Sequence, residues 1–157
     1  MLNRVTASDH EHALYKKIAL FFFAYRSFNE KPDMIAEKYD IQRVHHRILF
    51  FVGHFPGLSV NELLAILEVT KQALNAPLRQ LKEKGCIMTD ADPRDKRVKR
   101  LFLTDSGSQL LQKLTKVQME QLQAIIDKVG DAHIDAWTKV MEEFAIERPG
   151  SKYLDSL

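Results

Sequence analysis

Two helices capped in tandem, a basic hairpin directly after them and long amphipathic helices at both ends predict a mainly α protein. The expected class is an α+β winged helix: a helix-turn-helix plus β-hairpin wing, with long N- and C-terminal dimerisation helices. At 157 residues the chain is about one domain long. The reading takes 1–157 as one domain, with 1–38 and 108–157 as the dimerisation helices and 40–107 as the lobe.

The first helix starts at Ser8-Asp9-His10-Glu11, which has capping-box spacing. Leu14, Ile18, Phe21, Phe22, Tyr25 and Phe28 follow at helical intervals, and the helix is expected to stop before Pro32. Its apolar face is wider and more aromatic than a small neighbouring lobe needs, so part of it is expected to pack against a second subunit. A second helix is expected from Asp40 as N-cap, carrying Ile41, Val44, Ile48, Leu49 and Val52 to Gly53, before a turn at Pro56-Gly57. Ser59-Val60-Asn61-Glu62 is a capping box, and Leu58 and Leu63 occupy the two positions of a hydrophobic staple. A short third helix therefore begins at Ser59 and ends at Glu68-Val69, where Thr70 is available to cap a fourth.

The fourth helix places Leu74, Leu78 and Leu81 toward the core and ends at Gly85. Pro77 lies well inside it and predicts a kink between Ala73 and Pro77, because proline lacks the amide donor and crowds the carbonyl one turn back. Ile87-Met88-Thr89 and Val98 to Leu103 read as strands around a polar loop, Asp90 to Arg97. Leu103-Thr104-Asp105-Ser106-Gly107 then caps a long helix running to Gly130, and a last helix from Asp131 stops before Pro149.

Composition narrows the class further. Apolar residues make up 45% of the chain and charged residues 28%, which excludes disordered and collagen-like classes. The longest apolar run, Ile18 to Tyr25, is far too short to span a bilayer, and no basic segment with a small-residue cleavage site precedes it. A cytoplasmic protein is expected, without a membrane partner. A single cysteine forms no internal disulfide, which fits a reducing compartment. The net charge is +2, but Lys71 to Arg100 holds nine basic and four acidic residues, a local +5 that leaves −3 for the rest. That asymmetry suits a polyanionic partner, and a solvated charged face is the alternative.

In a helix-turn-helix the second helix enters the major groove, which is wide enough for a helix and displays each base pair distinctly. Thr70, Lys71, Gln72 and Asn75 are the candidate base readers, and Arg79 and Lys82 the candidate phosphate contacts further along. They are equally the polar positions that any amphipathic helix would carry. Arg94 at the hairpin tip is the candidate for a narrow minor groove, with Asp92 orienting its guanidinium. Lys96, Arg97, Lys99 and Arg100 would supply charge to the backbone, although alternate strand residues cannot all face one duplex. For Asp92 and Asp95 the alternative is turn formation.

His46 and Arg47 on the second helix are candidate pocket residues, with Arg47 suited to an acidic group and hydrogen bonds and ion pairs between helices as the alternative. Metal binding is not expected, since adjacent helical histidines diverge. Redox sensing by Cys86 would need an exposed, low-pKa thiol, and burial is the commoner fate. No phosphate loop, zincin helix or nucleophile elbow occurs, so neither an enzyme nor a cofactor is expected.

The segment 59–107 resembles the MarR family of bacterial transcriptional regulators. The matching pieces are Glu62-Leu63-Leu64, Val69-Thr70-Lys71-Gln72, Leu81-Lys82-Glu83-Lys84-Gly85, Asp92-Pro93-Arg94-Asp95-Lys96-Arg97 and Leu103-Thr104-Asp105-Ser106-Gly107. The resemblance implies a homodimer with interlocked terminal helices, double-stranded DNA as partner, and repression at a pseudo-palindromic promoter site relieved by a small, often aromatic, ligand held between lobe and dimerisation helices, where His46 and Arg47 lie. The alternatives are a winged-helix protein-interaction module and a non-specific architectural DNA binder.

Overall fold

The computed structural model describes residues 8–157, so the part of the 1–38 assignment that falls on 1–7 lies outside the described residues. The elements run α1 (Asp9–Lys38), α2 (Arg43–His54), β1 (Leu58–Ser59), α3 (Val60–Leu67), α4 (Lys71–Glu83), β2 (Ile87–Ala91), β3 (Lys99–Leu103), α5 (Asp105–Val129) and α6 (Asp131–Ala145). A 3-10 turn at Ser151–Ser156 closes the chain. The fold is a mainly helical winged helix with a small antiparallel sheet.

Ser8 caps α1 in a complete capping box with Glu11, as the sequence predicts. The helix does not stop before Pro32, however, but continues through it to Lys38. Pro32 is buried together with Asn29 and Ala36, so packing holds the helix together where local propensity would end it. Side chains also tie the preceding turn: Asn29 Nδ2 donates to the Tyr25 carbonyl at 2.7 Å, and Gln121 Nε2 of α5 to that of Ser27 at 3.4 Å. In consequence the second helix starts later than expected. Asp40 takes a left-handed conformation (φ 53°) and Gln42 is the N-cap.

The tandem caps form as read. Ser59 and Glu62 complete the α3 capping box, and Thr70 Oγ1 accepts the Ala73 amide at 3.2 Å at the start of α4. α4 passes unbroken through Pro77, and its buried stripe of Leu74, Leu78 and Leu81 continues on both sides. It ends in a Schellman arrangement: Gly85 has φ +68°, its amide bonds the Lys82 carbonyl, and the Cys86 amide bonds the Leu81 carbonyl.

The sheet order is β1-β3-β2, with β3 paired to both neighbours. Strand β1 escapes sequence reading because two residues carry no periodicity; it is seen only through the pairs Leu58 with Leu101 and Ser59 with Arg100. The core lies almost entirely in the lobe and the first turns of α5, around Ile48, Leu49, Val52, Leu63, Leu74, Leu81, Leu101 and Leu114. Gly107 permits this closure. A Cβ there would stand 2.0 Å from the Cys86 carbonyl oxygen, where α5 meets the start of β2.

The chain after α6, also missed from sequence, folds back on the lobe. Tyr153 packs against Phe55 with 4.9 Å between ring centres and the rings inclined by 51°, and Arg148 pairs with Glu68 at 3.1 Å.

Candidate nucleic-acid interface

The stripe that buries α4 also fixes what it exposes. With Leu74, Leu78 and Leu81 directed inward, Lys71, Gln72, Asn75, Arg79 and Lys82 are all exposed, as is the cap residue Thr70. Arg79 makes a 3.7 Å pair with Glu83 one turn on; both side chains are well exposed, so the pair constrains Arg79 little. Lys71 and Lys82 form no ion pair among the described residues.

The wing loop is built by its two aspartates. Asp92 Oδ1 accepts the amides of Arg94 at 2.8 Å and Asp95 at 3.2 Å, while the Asp92 amide bonds the Val98 carbonyl at 2.9 Å. Asp95 repeats the device on Arg97, accepting its amide at 3.0 Å and its Nε at 3.1 Å. These contacts hold both carboxyls below the usual carboxylate range. The Arg94 amide is the main cause for Asp92, followed by the Arg100 guanidinium; the Arg97 side chain is the main cause for Asp95.

This corrects one expectation. Asp92 does not orient the Arg94 guanidinium: it holds the Arg94 backbone, and its second oxygen pairs with Arg100 at 2.6 Å. Arg94, Lys96 and Lys99 remain exposed and unpaired with any carboxylate among the described residues. Arg97 is exposed but tied to Asp95. Arg100, read as a source of charge for the duplex backbone, is instead half-buried and fully engaged within the lobe. No sequence signal reveals that role, because it depends on the register that sets Arg100 between Ser59 and Asp90.

The histidine cluster of α2 divides into separate tasks. His45 Nδ1 accepts the Gln42 amide at 3.0 Å, so its proton sits on Nε2 and is donated to Gln80 Oε1 at 2.6 Å, tying α2 to α4. Arg47 donates to the Tyr25 hydroxyl on α1. His46 is 7% exposed and its Nε2 has no hydrogen-bond partner among the described residues. Burial pushes its pKa below the ordinary imidazole value, against an opposing pull from Asp33. Cavities of about 370 and 260 Å³ lie nearby, the first lined by Tyr39, Lys84, Cys86, Gln109 and Lys113 among others, and neither includes His46 or Arg47. Cys86 is buried, which raises its thiol pKa away from the reactive range.

A sequence profile of the MarR family matches residues 39–98, covering α2 through the wing loop. The HTH-type transcriptional regulator PetP of Rhodobacter capsulatus is 37% identical over 132 residues, 84% of this chain and 80% of that protein. The chain belongs to the MarR family. Its relatives there are transcriptional regulators rather than enzymes, and this chain is a transcriptional regulator of the same family. A crystal structure of a MarR family transcription regulator superposes with a TM-score of 0.75 at 18% identity, over 87% of this chain and 90% of that one. Streptococcus pneumoniae FabT in complex with DNA gives 0.72 at 19%, over 83% and 94%. The Staphylococcus aureus MepR–DNA complex gives 0.67 at 23%, over 80% and 93%. At these identities the structural likeness speaks to the winged-helix fold. No helix among the described residues is long and apolar enough to cross a membrane.

Proposed function

We propose that this MarR-family chain represses transcription as a homodimer bound to a pseudo-palindromic duplex. The observation that carries the reading is the pairing of two exposed basic projections on one rigid lobe. One is the α4 face with Lys71, Gln72, Asn75, Arg79 and Lys82; the other is the wing tip with Arg94, Lys96, Arg97 and Lys99. Gln72 and Asn75 suit adenine edges, Lys71 suits guanine, Thr70 suits either base edge, and Arg79 and Lys82 suit phosphates. Arg94, held forward by the Asp92 turn, suits the adjacent minor groove. FabT and MepR, of the same fold, are seen with DNA.

The dimer rests on the terminal helices. Leu14, Ile18, Phe21, Phe22 and Tyr25 of α1 are exposed along one face, and Trp137, Val140 and Phe144 of α6 are exposed too. An apolar surface of that extent is what a second copy would cover. Within the 1–38 and 108–157 segments, the exposed faces of α1 and α6 are then the dimerisation part, while 40–107, with the first turns of α5 and the chain after α6 packed on it, is the reading lobe. Two-fold symmetry would set the recognition helices roughly 34 Å apart, one turn of duplex. Release by a small acidic or aromatic ligand belongs to the same proposal. The cavity with Lys84 and Lys113 is the first place to test an acid, ahead of His46 and Arg47.

The deciding experiment is selection of bound duplexes from a random pool by wild type and Arg94→Ala at two salt concentrations. An inverted repeat that is enriched by wild type and less so by the variant is the expected result. Salt-steep binding without enrichment would point to an architectural binder, and no binding at either salt to a protein-interaction module.

A further inference from the structure

One side chain joins the two projections. Arg100 donates from Nε and Nη2 to Asp92 Oδ2, at 2.7 and 2.6 Å, and from Nη1 to Glu62 Oε2 at 3.2 Å and the Gly57 carbonyl at 3.3 Å. Each carboxylate already holds backbone. The other oxygen of Asp92 accepts the Arg94 and Asp95 amides. The same oxygen of Glu62 accepts the Ser59 amide at 2.7 Å in the α3 capping box. A continuous chain of hydrogen bonds thus runs from the first helix of the helix-turn-helix, through one guanidinium, to the turn that presents Arg94. The fork of an arginine can meet all three acceptors from a fixed plane; an ammonium cannot.

We propose that Arg100 is a positioning residue that locks the wing tip to the helix-turn-helix, so that Arg94 and the α4 face meet the duplex as one unit. This rests on the DNA-binding reading for its purpose, but the lock itself belongs to the free protein. Arg100 directs its charge inside the lobe, is only about a third exposed, and leaves the minor groove to Arg94 and phosphate contact to the unpaired Lys96 and Lys99. The role is not carried by charge, so lysine does not replace it.

The test has two arms. In the free protein, hydrogen exchange of the Arg94 and Asp95 amides should quicken by about tenfold in Arg100→Gln and equally in Arg100→Lys, for the loss of one charged hydrogen-bond network. Unchanged exchange in both variants overturns the lock. In the second arm, affinity is measured for the duplex that wild type selects from the random pool. Arg100→Gln should weaken it by about tenfold alone. In an Arg94→Ala background it should weaken it less than about twofold, because a positioning residue has nothing left to position. Additive losses, or recovery by Arg100→Lys, would instead mark a direct phosphate contact and overturn the proposal. If wild type selects no duplex, the DNA reading fails while the exchange arm still decides the lock. A melting temperature lowered equally in both backgrounds accompanies either result and does not mimic the non-additivity.

Discussion

The lobe and the terminal helices spend their apolar residues in opposite ways. In the lobe, Ile48, Leu49, Val52, Leu63, Leu74, Leu81 and Leu101 are sealed from water. In α6 no residue is buried, and α1 buries only Asn29, Pro32 and Ala36, all in its last third. The aromatic run Phe21, Phe22 and Phe23 lies 46–62% exposed. One region satisfies its hydrophobic surface within a single chain, whereas the other is built with a surface that water does not favour. The contrast matches the proposed division of labour, in which a self-contained lobe presents fixed basic side chains and the two exposed helices set the distance between two such lobes.

That contrast can be broken at several points, and the largest effect is expected in the helices. Ile18→Asp with Phe22→Asp should weaken self-association by roughly a thousandfold, as loss of central apolar anchors does at interfaces. Sedimentation equilibrium should show a single copy with the lobe still folded; two copies persisting would refute the assignment of this face. In the lobe, Leu49→Ala should cost about 3 kcal/mol in chemical denaturation from the cavity it leaves. A loss under about 1 kcal/mol would mean that the lobe core is looser than its burial indicates. Gly107→Ala should follow at about 2 kcal/mol, since the new Cβ meets backbone rather than a yielding side chain. Thr70→Ala should cost about 1 kcal/mol through the α4 cap. It tests whether the recognition helix depends on its own N-terminus or is held by packing alone.

The smallest effect concerns the seam between the two regions. His46 is buried there in its neutral form, with a pKa below the ordinary imidazole value of about 6.5. As pH falls through that value the unfolded chain takes up a proton before the folded one does, so stability present above it is progressively lost below it. Wild type should therefore lose denaturation midpoint between about pH 7 and pH 5, and His46→Leu should flatten that slope. A slope unchanged in the variant would assign the loss to other groups.

Local chemistry was enough to read the capped helices. Ser8, Ser59, Thr70 and Thr104 each cap the helix expected of them, and Gly85 ends α4, because a cap is a contact within three or four residues. The exposed candidates on α4 were legible for the same reason, since the Leu74, Leu78, Leu81 spacing fixes the opposite face. What sequence could not show was anything decided across distance. Pro32 was read as a stop, yet lies buried inside a continuing helix; Asp40 was read as a cap, yet turns left-handed because α1 reaches it. Asp92 was paired with the wrong arginine.

The winged-helix class and the succession of capped helices and wing strands are legible in consecutive positions, because periodicity and capping act over a few residues. Packing across the core, by contrast, turns Arg100 inward to Asp92 and Glu62 and buries His46 with no hydrogen-bond partner for its Nε2 among the described residues. The same holds for the chain after α6, which returns to pack Tyr153 against Phe55. Those outcomes depend on strand register and on which side chains meet across the core, and neither is encoded in the neighbours of any one residue.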